Sequence, residues 1–273
     1  QTLSASTTTF YNLSIQGSGT KALGSATTIS NNLSVLNGTL ADGGFQITGN
    51  GTGALNVAAG ATLQIGAGGA NTETFPTLYP TANITLNATS TVIYNSTSAM
   101  TVAGSVTSVG PSTYGKLTLS GASTKTAASA ITVAGTLTIN AGTFADGGFA
   151  ITVNGNVTNN ATHSGAGKIL LSGGSVSHTV TGTTDTYGNL ELNDANGATF
   201  ANTATTTTVG TLTVTVGTLT LNSFATSLTV TTTNVSGTLT FNNATGTRSM
   251  GAVTVNTGGI VNVSTAPSSL TVT

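Results

Sequence analysis

Three observations predict an all-β chain wound as a right-handed parallel β-solenoid. Aliphatic residues and Thr alternate in short runs, turn formers punctuate those runs, and the pattern returns every 20 or so residues. The alternation is seen at Leu117-Thr118-Leu119, Ile131-Thr132-Val133, Leu137-Thr138-Ile139 and Ile151-Thr152-Val153. It returns at Leu212-Thr213-Val214, Leu219-Thr220-Leu221 and Leu239-Thr240-Phe241. A period of two puts one set of side chains on an inner face and Thr on the outer one. Thr and Val are branched at Cβ and suit a pleated strand. Gly, Asn and Asp stand between the runs, where turns are needed, and no long stretch has a 3.6-residue period.

Repeats turn these strands into an architecture. Gly135–Gly155 matches Asn31–Gly51 at 12 of 21 positions with a constant offset of 104, including Ala41-Asp42-Gly43-Gly44-Phe45 against Ala145-Asp146-Gly147-Gly148-Phe149. Inside that offset lies a shorter period. Gly115, Gly135 and Gly155 are 20 apart, as are Leu117, Leu137 and Val157, and near the N-terminus Leu13 and Leu33. A third copy starts at Thr186-Tyr187-Gly188-Asn189-Leu190, after which the spacing loosens. A sandwich would not hold one position aliphatic at a fixed period, whereas stacked coils require it. A coil longer than the roughly 18 residues of a hexapeptide solenoid favours the right-handed form. The expectation is a single domain over residues 1–273, with about 12–13 coils of roughly 20–23 residues and a rod of roughly 60 Å at about 4.8 Å per coil.

Within one such coil, Leu137, Ile139, Phe144, Ile151 and Val153 are expected to point inward. Each buried side chain contributes about 1.5–3 kcal/mol. Gly43-Gly44 and Gly147-Gly148 are expected to supply positive φ at a corner, with Asp42 and Asp146 bonding backbone N–H groups there.

The recurring Asn-Leu-Ser-Ile or Gly-Thr-Leu-Thr-Ile strand, the coil length and the Ala-Asp-Gly-Gly-Phe turn resemble those of bacterial secreted β-helix surface proteins. Filamentous-haemagglutinin-like adhesins and autotransporter passengers are the nearest group. The resemblance covers nearly the whole chain as a style of repeat. It implies an extracellular right-handed β-helix with an adhesive or structural role, and it carries over no functional residue.

Composition narrows the function. The 273 residues include 36 Gly but only 5 Lys and Arg and 6 Asp and Glu, for a net charge of −1. A charged fraction of 4% is far below the usual quarter or so. No basic surface is available for nucleic acid. No apolar run approaches the roughly 18 residues of a membrane span, so no membrane insertion is expected. Cys is absent, which excludes disulfides and thiolate metal sites. The chain begins at Gln1 with no basic and apolar leader before it, as expected of a protein secreted after signal removal.

Candidate sites are few. The 69–82 segment holds Glu73, Phe75, Pro76, Tyr79 and Pro80 and reads as a loop protruding from the rod, with Phe75 and Tyr79 as contact residues. Asp185, Glu191 and Asp194 form the one local acidic cluster and read as a solvated corner. His163 and His178 read as surface imidazoles, so Asp194→Ala and His178→Ala are expected to be near neutral for stability. No catalytic, cofactor or metal residue is assigned, and no enzyme activity is expected. Asn-x-Ser/Thr occurs 12 times, about what composition alone yields, and Asn37, Asn87 and Asn95 are read as turn sites able to carry glycan.

The expected function is a structural subunit of an extracellular filament or surface fibre. Its partner is a second copy of itself, stacked head to tail as a homopolymer through Leu3, Phe10 and Tyr11 at one end and Leu270 and Val272 at the other. The alternatives are a solenoid adhesin that binds glycan or a cell surface, and a Thr-rich ice-binding protein. A polysaccharide-active enzyme is disfavoured by the scarcity of carboxylates.

Overall fold

A computed structural model describes residues 2–3, 8–70, 72–104, 110–183, 185–203, 206–224, 227–242, 246–265 and 269–273. The aliphatic-Thr alternations form short strands, each paired in parallel with its counterpart about one coil further on. The fold is an all-β solenoid of about 12 coils. Among the described residues, helix is confined to the 3-10 turn Thr81–Asn83. The chain divides into two compact units, Gln1–Gly135 with Ala141–Gly147, and Thr136–Asn140 with Gly148–Thr273.

In the first unit each early coil has three short sides. Leu13–Ile15, Thr20–Leu23 and Thr27–Ile29 are one such coil. Leu13 pairs with Leu33, Leu33 with Leu55 and Leu55 with Ile84, so one inward position is a continuous aliphatic column. A second column runs through Leu40, Leu63, Val92 and Leu117. Leu63 and Val92 are 29 residues apart, longer than the expected coil, because the chain between them contains residues 69–82.

Residues 75–79 do not protrude. Thr77 bridges Thr48 in parallel, Gly49 N donates to Thr77 O and Gly51 N donates to Leu78 O, so residues 77 and 78 lie against residues 48–51 as an added rung. Phe75 and Tyr79 are only 2% and 0% exposed. The expectation that they stand out as contact residues is therefore overturned. Two prolines do not force a loop outward here, because the carbonyls of Thr77 and Leu78 still receive ladder hydrogen bonds.

In the second unit the column Leu137, Val157, Val180, Phe200, Leu221, Phe241 is paired residue by residue. The facing sides are longer. Thr206–Val216 is one strand of 11 residues, but its inward residues are Thr207 and Val209, then Leu212 and Val214. The alternation changes phase at Gly210, so the strand turns a corner there without breaking its ladder. The corner is crowded. A Cβ on Gly210 would lie 2.4 Å from the Gly188 carbonyl oxygen, and one on Gly251 would lie 2.0 Å from that of Thr231. Glycine is what lets successive corners stack. At the other repeated corner Gly43, Gly44, Gly147 and Gly148 have φ between 66° and 85°, as expected.

All five inward residues expected for the coil through Leu137 and Val153 are fully buried. Leu137→Ala is expected to lower stability by about 2–5 kcal/mol, read as a shift of the urea midpoint with far-UV circular dichroism retained. A change below about 1 kcal/mol would contradict the stacked core.

Candidate functional site

Strand parity applies to polar residues as strictly as to apolar ones. Lys125 occupies an inner position, paired with Met100 on one side and Phe144 on the other. Arg248 pairs with Leu228 and Leu270. His178 heads a column that continues through Ala198, Leu219 and Leu239. Lys125, Arg248, His163 and His178 are all buried. The histidines are thus not surface imidazoles. A signal was present in the sequence. In Thr124-Lys125-Thr126-Ala127, His178-Thr179-Val180-Thr181 and Thr247-Arg248-Ser249-Met250 the Thr and Ser alternate with the polar residue and claim the outer face.

Main-chain carbonyls at coil corners receive these groups. Lys125 Nζ donates to Ser96 O at 2.6 Å, Gly121 O at 3.2 Å and Ser123 O at 3.3 Å, and to Ser123 Oγ at 3.1 Å. Arg248 donates to Asn222 O and Thr247 O. Burial pushes the pKa of both cations downward, since it disfavours the charged form.

The acidic cluster is divided by the fold. Asp194 is buried and meets His178, with Nε2 and Oδ2 3.0 Å apart, while His178 Nδ1 meets the Gly155 carbonyl oxygen. Asp194 also accepts from Gly174 N at 2.6 Å and Asn196 N at 2.9 Å. Burial pushes its carboxyl upward, but the Asn196 and Gly174 N–H groups and His178 outweigh that and hold it below the ordinary 3.8. It is not a solvated corner, and near-neutral substitution of Asp194 or His178 is not what this geometry supports. The side chain of Asp185 lies outside the described residues.

Asp42 does bond a local N–H group, that of Gly44 at 2.9 Å, but it also reaches the next coil at Gly66 N, 2.7 Å, and Ala67 N, 2.9 Å. Burial dominates and raises its pKa despite these three donors, and Glu73 adds to the rise. Tyr94 and Tyr114 close a small polar ring. Ala103 N donates to Tyr94 OH, the two hydroxyls lie 3.0 Å apart, and Tyr114 OH donates to Ala103 O at 2.7 Å. Burial pushes Tyr94 up to about 12.

Glu191 faces outward and is held differently. Lys168 Nζ donates to its Oε2 at 2.5 Å and Thr215 Oγ1 to its Oε1 at 2.7 Å. Burial pushes the Glu191 carboxyl upward; the Lys168 and Thr215 hydrogen bonds, with the Lys168 charge, overcome this and hold it below 4.5. The pair borders an open cleft of about 470 Å³, whose walls include Asn189, Thr211 and Thr213.

The other expected sites are scattered. Asn37 and Asn87 are exposed, and Asn87 Oδ1 accepts from Thr89 N and Thr89 Oγ1. Asn95 lies in the strand Thr91–Ser96 and is half-buried, so it is not a turn site. Leu3 and Phe10 are half-buried, while Tyr11, Leu270 and Val272 are exposed. No helix among the described residues is long and apolar enough to cross a membrane. Comparison with protein-family models, curated proteins and solved structures finds no significant match to the chain.

Asp194→Asn replaces a buried carboxylate that accepts from two backbone N–H groups and meets His178 with a weaker acceptor. Asp194→Asn is expected to lower stability by about 1–3 kcal/mol at pH 7. The native carboxyl is held below 3.8, so its contribution is present above that value and lost as pH falls through the lower native pKa. The difference in urea midpoint between wild type and Asp194→Asn should therefore be wide at pH 7 and narrow as pH drops below 3.8. A difference independent of pH would contradict the pairing.

Proposed function

We propose that the chain is a structural subunit of an extracellular filament or surface fibre, assembled head to tail by stacking the coils of one copy on those of the next. One observation carries this reading. In the coil of Ile260–Thr265 and Ser269–Val272 the inward positions Val261, Val263, Leu270 and Val272 are 40%, 47%, 37% and 59% exposed. Their paired counterparts Leu239, Phe241, Arg248 and Met250 are 1–3% exposed. A coil stacked on this edge would cover Val261, Val263, Leu270 and Val272 and extend their ladders. The occupant is the first coil of a second copy. Among the described residues, Thr2–Leu3, Thr8–Phe10 and Leu13–Ile15 each pair in parallel with one strand of the next coil, with the same parity. Such a contact is heterologous and propagates. A net charge of −1 opposes it little. The resemblance of the repeats to secreted surface proteins supports the extracellular setting. Negative-stain microscopy is expected to show unbranched fibres, and Val261→Asp with Val263→Asp is expected to leave monomers with an unchanged circular dichroism spectrum. A monodisperse wild-type monomer at high concentration would overturn the proposal.

A second reading, ice binding, is favoured by a different observation. Thr179, Thr199, Thr220 and Thr240 are paired in one outward column, and Thr218-Leu219-Thr220 lies in register with Thr238-Leu239-Thr240. This is a regular array of hydroxyl and methyl groups. Thermal hysteresis that falls in Thr199→Leu with Thr220→Leu would support it, and no hysteresis at millimolar protein would exclude it.

A further inference from the structure

We propose that the cleft beside the Lys168–Glu191 pair is a saccharide-binding subsite that takes a neutral glycan through adjacent hydroxyls. It goes beyond the filament reading and uses a different surface, the outer face of the second unit rather than an open coil end.

The cleft arises from the register of four neighbouring strands. Ala150–Val153 pairs with Lys168–Leu171, which pairs with Asp185–Asn193, which pairs with Thr206–Val216. Along the outer face Ala150 is set against Lys168, Asn189 against Thr211, and Glu191 against Thr213. The depression exists because the floor has almost no side chains. Gly148, Ala150, Ala166 and Gly167 line it. Gly167 is obligatory, since a Cβ there would fall 2.0 Å from the Phe149 carbonyl oxygen.

The polar groups are held before any ligand arrives. Asn189 Nδ2 donates to Gly167 O at 2.7 Å, and its Oδ1 accepts from Thr211 N at 3.2 Å, which ties floor to wall. Thr215 and Lys168 orient the Glu191 carboxylate from two sides. Preorganised polar groups at a concave surface are what a small polar ligand needs.

The chemistry selects the ligand class. The side chain of Lys168 is 41% exposed and that of Glu191 13%, so both reach the cleft. An ammonium has three protons, of which Glu191 takes one. A carboxylate has more acceptor positions than its two present donors fill. Together they offer a donor and an acceptor one hydrogen bond apart. Two adjacent hydroxyls complement that arrangement, one donating to Glu191 and the other accepting from Lys168. The Thr211 and Thr213 hydroxyls extend the polar line by one rung, about 4.8 Å. The two charges cancel, so the site has no net attraction for phosphate, sulfate or carboxylate groups, and Glu191 repels them. In a chain with 11 charged residues, two meet on this cleft.

The test is a titration of the full chain with uncharged gluco-, manno-, galacto- and N-acetylglucosamine oligosaccharides, followed by calorimetry and by amide NMR shifts. At least one series is expected to bind saturably, with shifts centred on Lys168, Asn189 and Glu191. Lys168→Ala and Glu191→Gln are each expected to weaken binding about tenfold. Thr211→Trp fills the cleft without removing a charge and is expected to abolish binding. Thr229→Ala, in register with Thr208 and Thr186 and on the other side of the Gly210 corner from Glu191, is expected to leave it unchanged. Urea midpoints confirm that each variant is folded. No saturable binding at millimolar oligosaccharide, binding that survives Thr211→Trp, or tighter binding of sulfated than of neutral saccharides would each overturn the proposal.

Discussion

The strands of one coil obtain their ladder hydrogen bonds from the neighbouring coils. A parallel ladder between strands about 20 residues apart holds only if corresponding residues keep the same parity, because a slip of one residue turns every side chain to the opposite face. The aliphatic columns follow from that constraint. So do the phase change at Gly210 and the close stacking of Gly188 and Gly210. The corner can tighten only where the ladder on either side is kept.

The same constraint explains the buried polar groups. Lys125, Arg248 and His178 occupy inner positions because their strand neighbours on both sides face outward. A cation inside an apolar column is tolerated only where acceptors stand ready. Main-chain carbonyls at or near the corners supply them, as at Ser96, Gly121 and Gly155. His178 and Asp194 go further and set a ring nitrogen against a carboxylate oxygen, 3.0 Å apart. Buried polar pairs of this kind add little net stability but penalise a wrong register, since a slipped coil would leave each partner alone.

On the outer face the ladder has the opposite effect. It lines up side chains that are far apart in sequence at a fixed spacing and leaves them in water. Most of these columns are Thr. Where one rung has Lys168, the next Asn189 and Glu191, and the floor has Gly and Ala, a polar cleft forms without any dedicated loop.

Parity and period are local properties, and the chain determines them by itself. The alternation around Leu137 and Ile139, the coil spacing and the positive-φ corners at Gly43-Gly44 and Gly147-Gly148 were legible without coordinates, and parity applied evenly to Lys125 and His178 would have placed those inside as well. Tertiary structure decided which groups meet. Asp185, Glu191 and Asp194 are neighbours in sequence, yet Glu191 meets Lys168 and Asp194 meets His178. Residues 69–82 read as a protruding loop, yet Thr77 joins a ladder and Phe75 and Tyr79 enter the core. The physical reason is that a partner across coils depends on how many residues each turn consumes before the next strand begins. That number varies from coil to coil, and only the folded stack sums it.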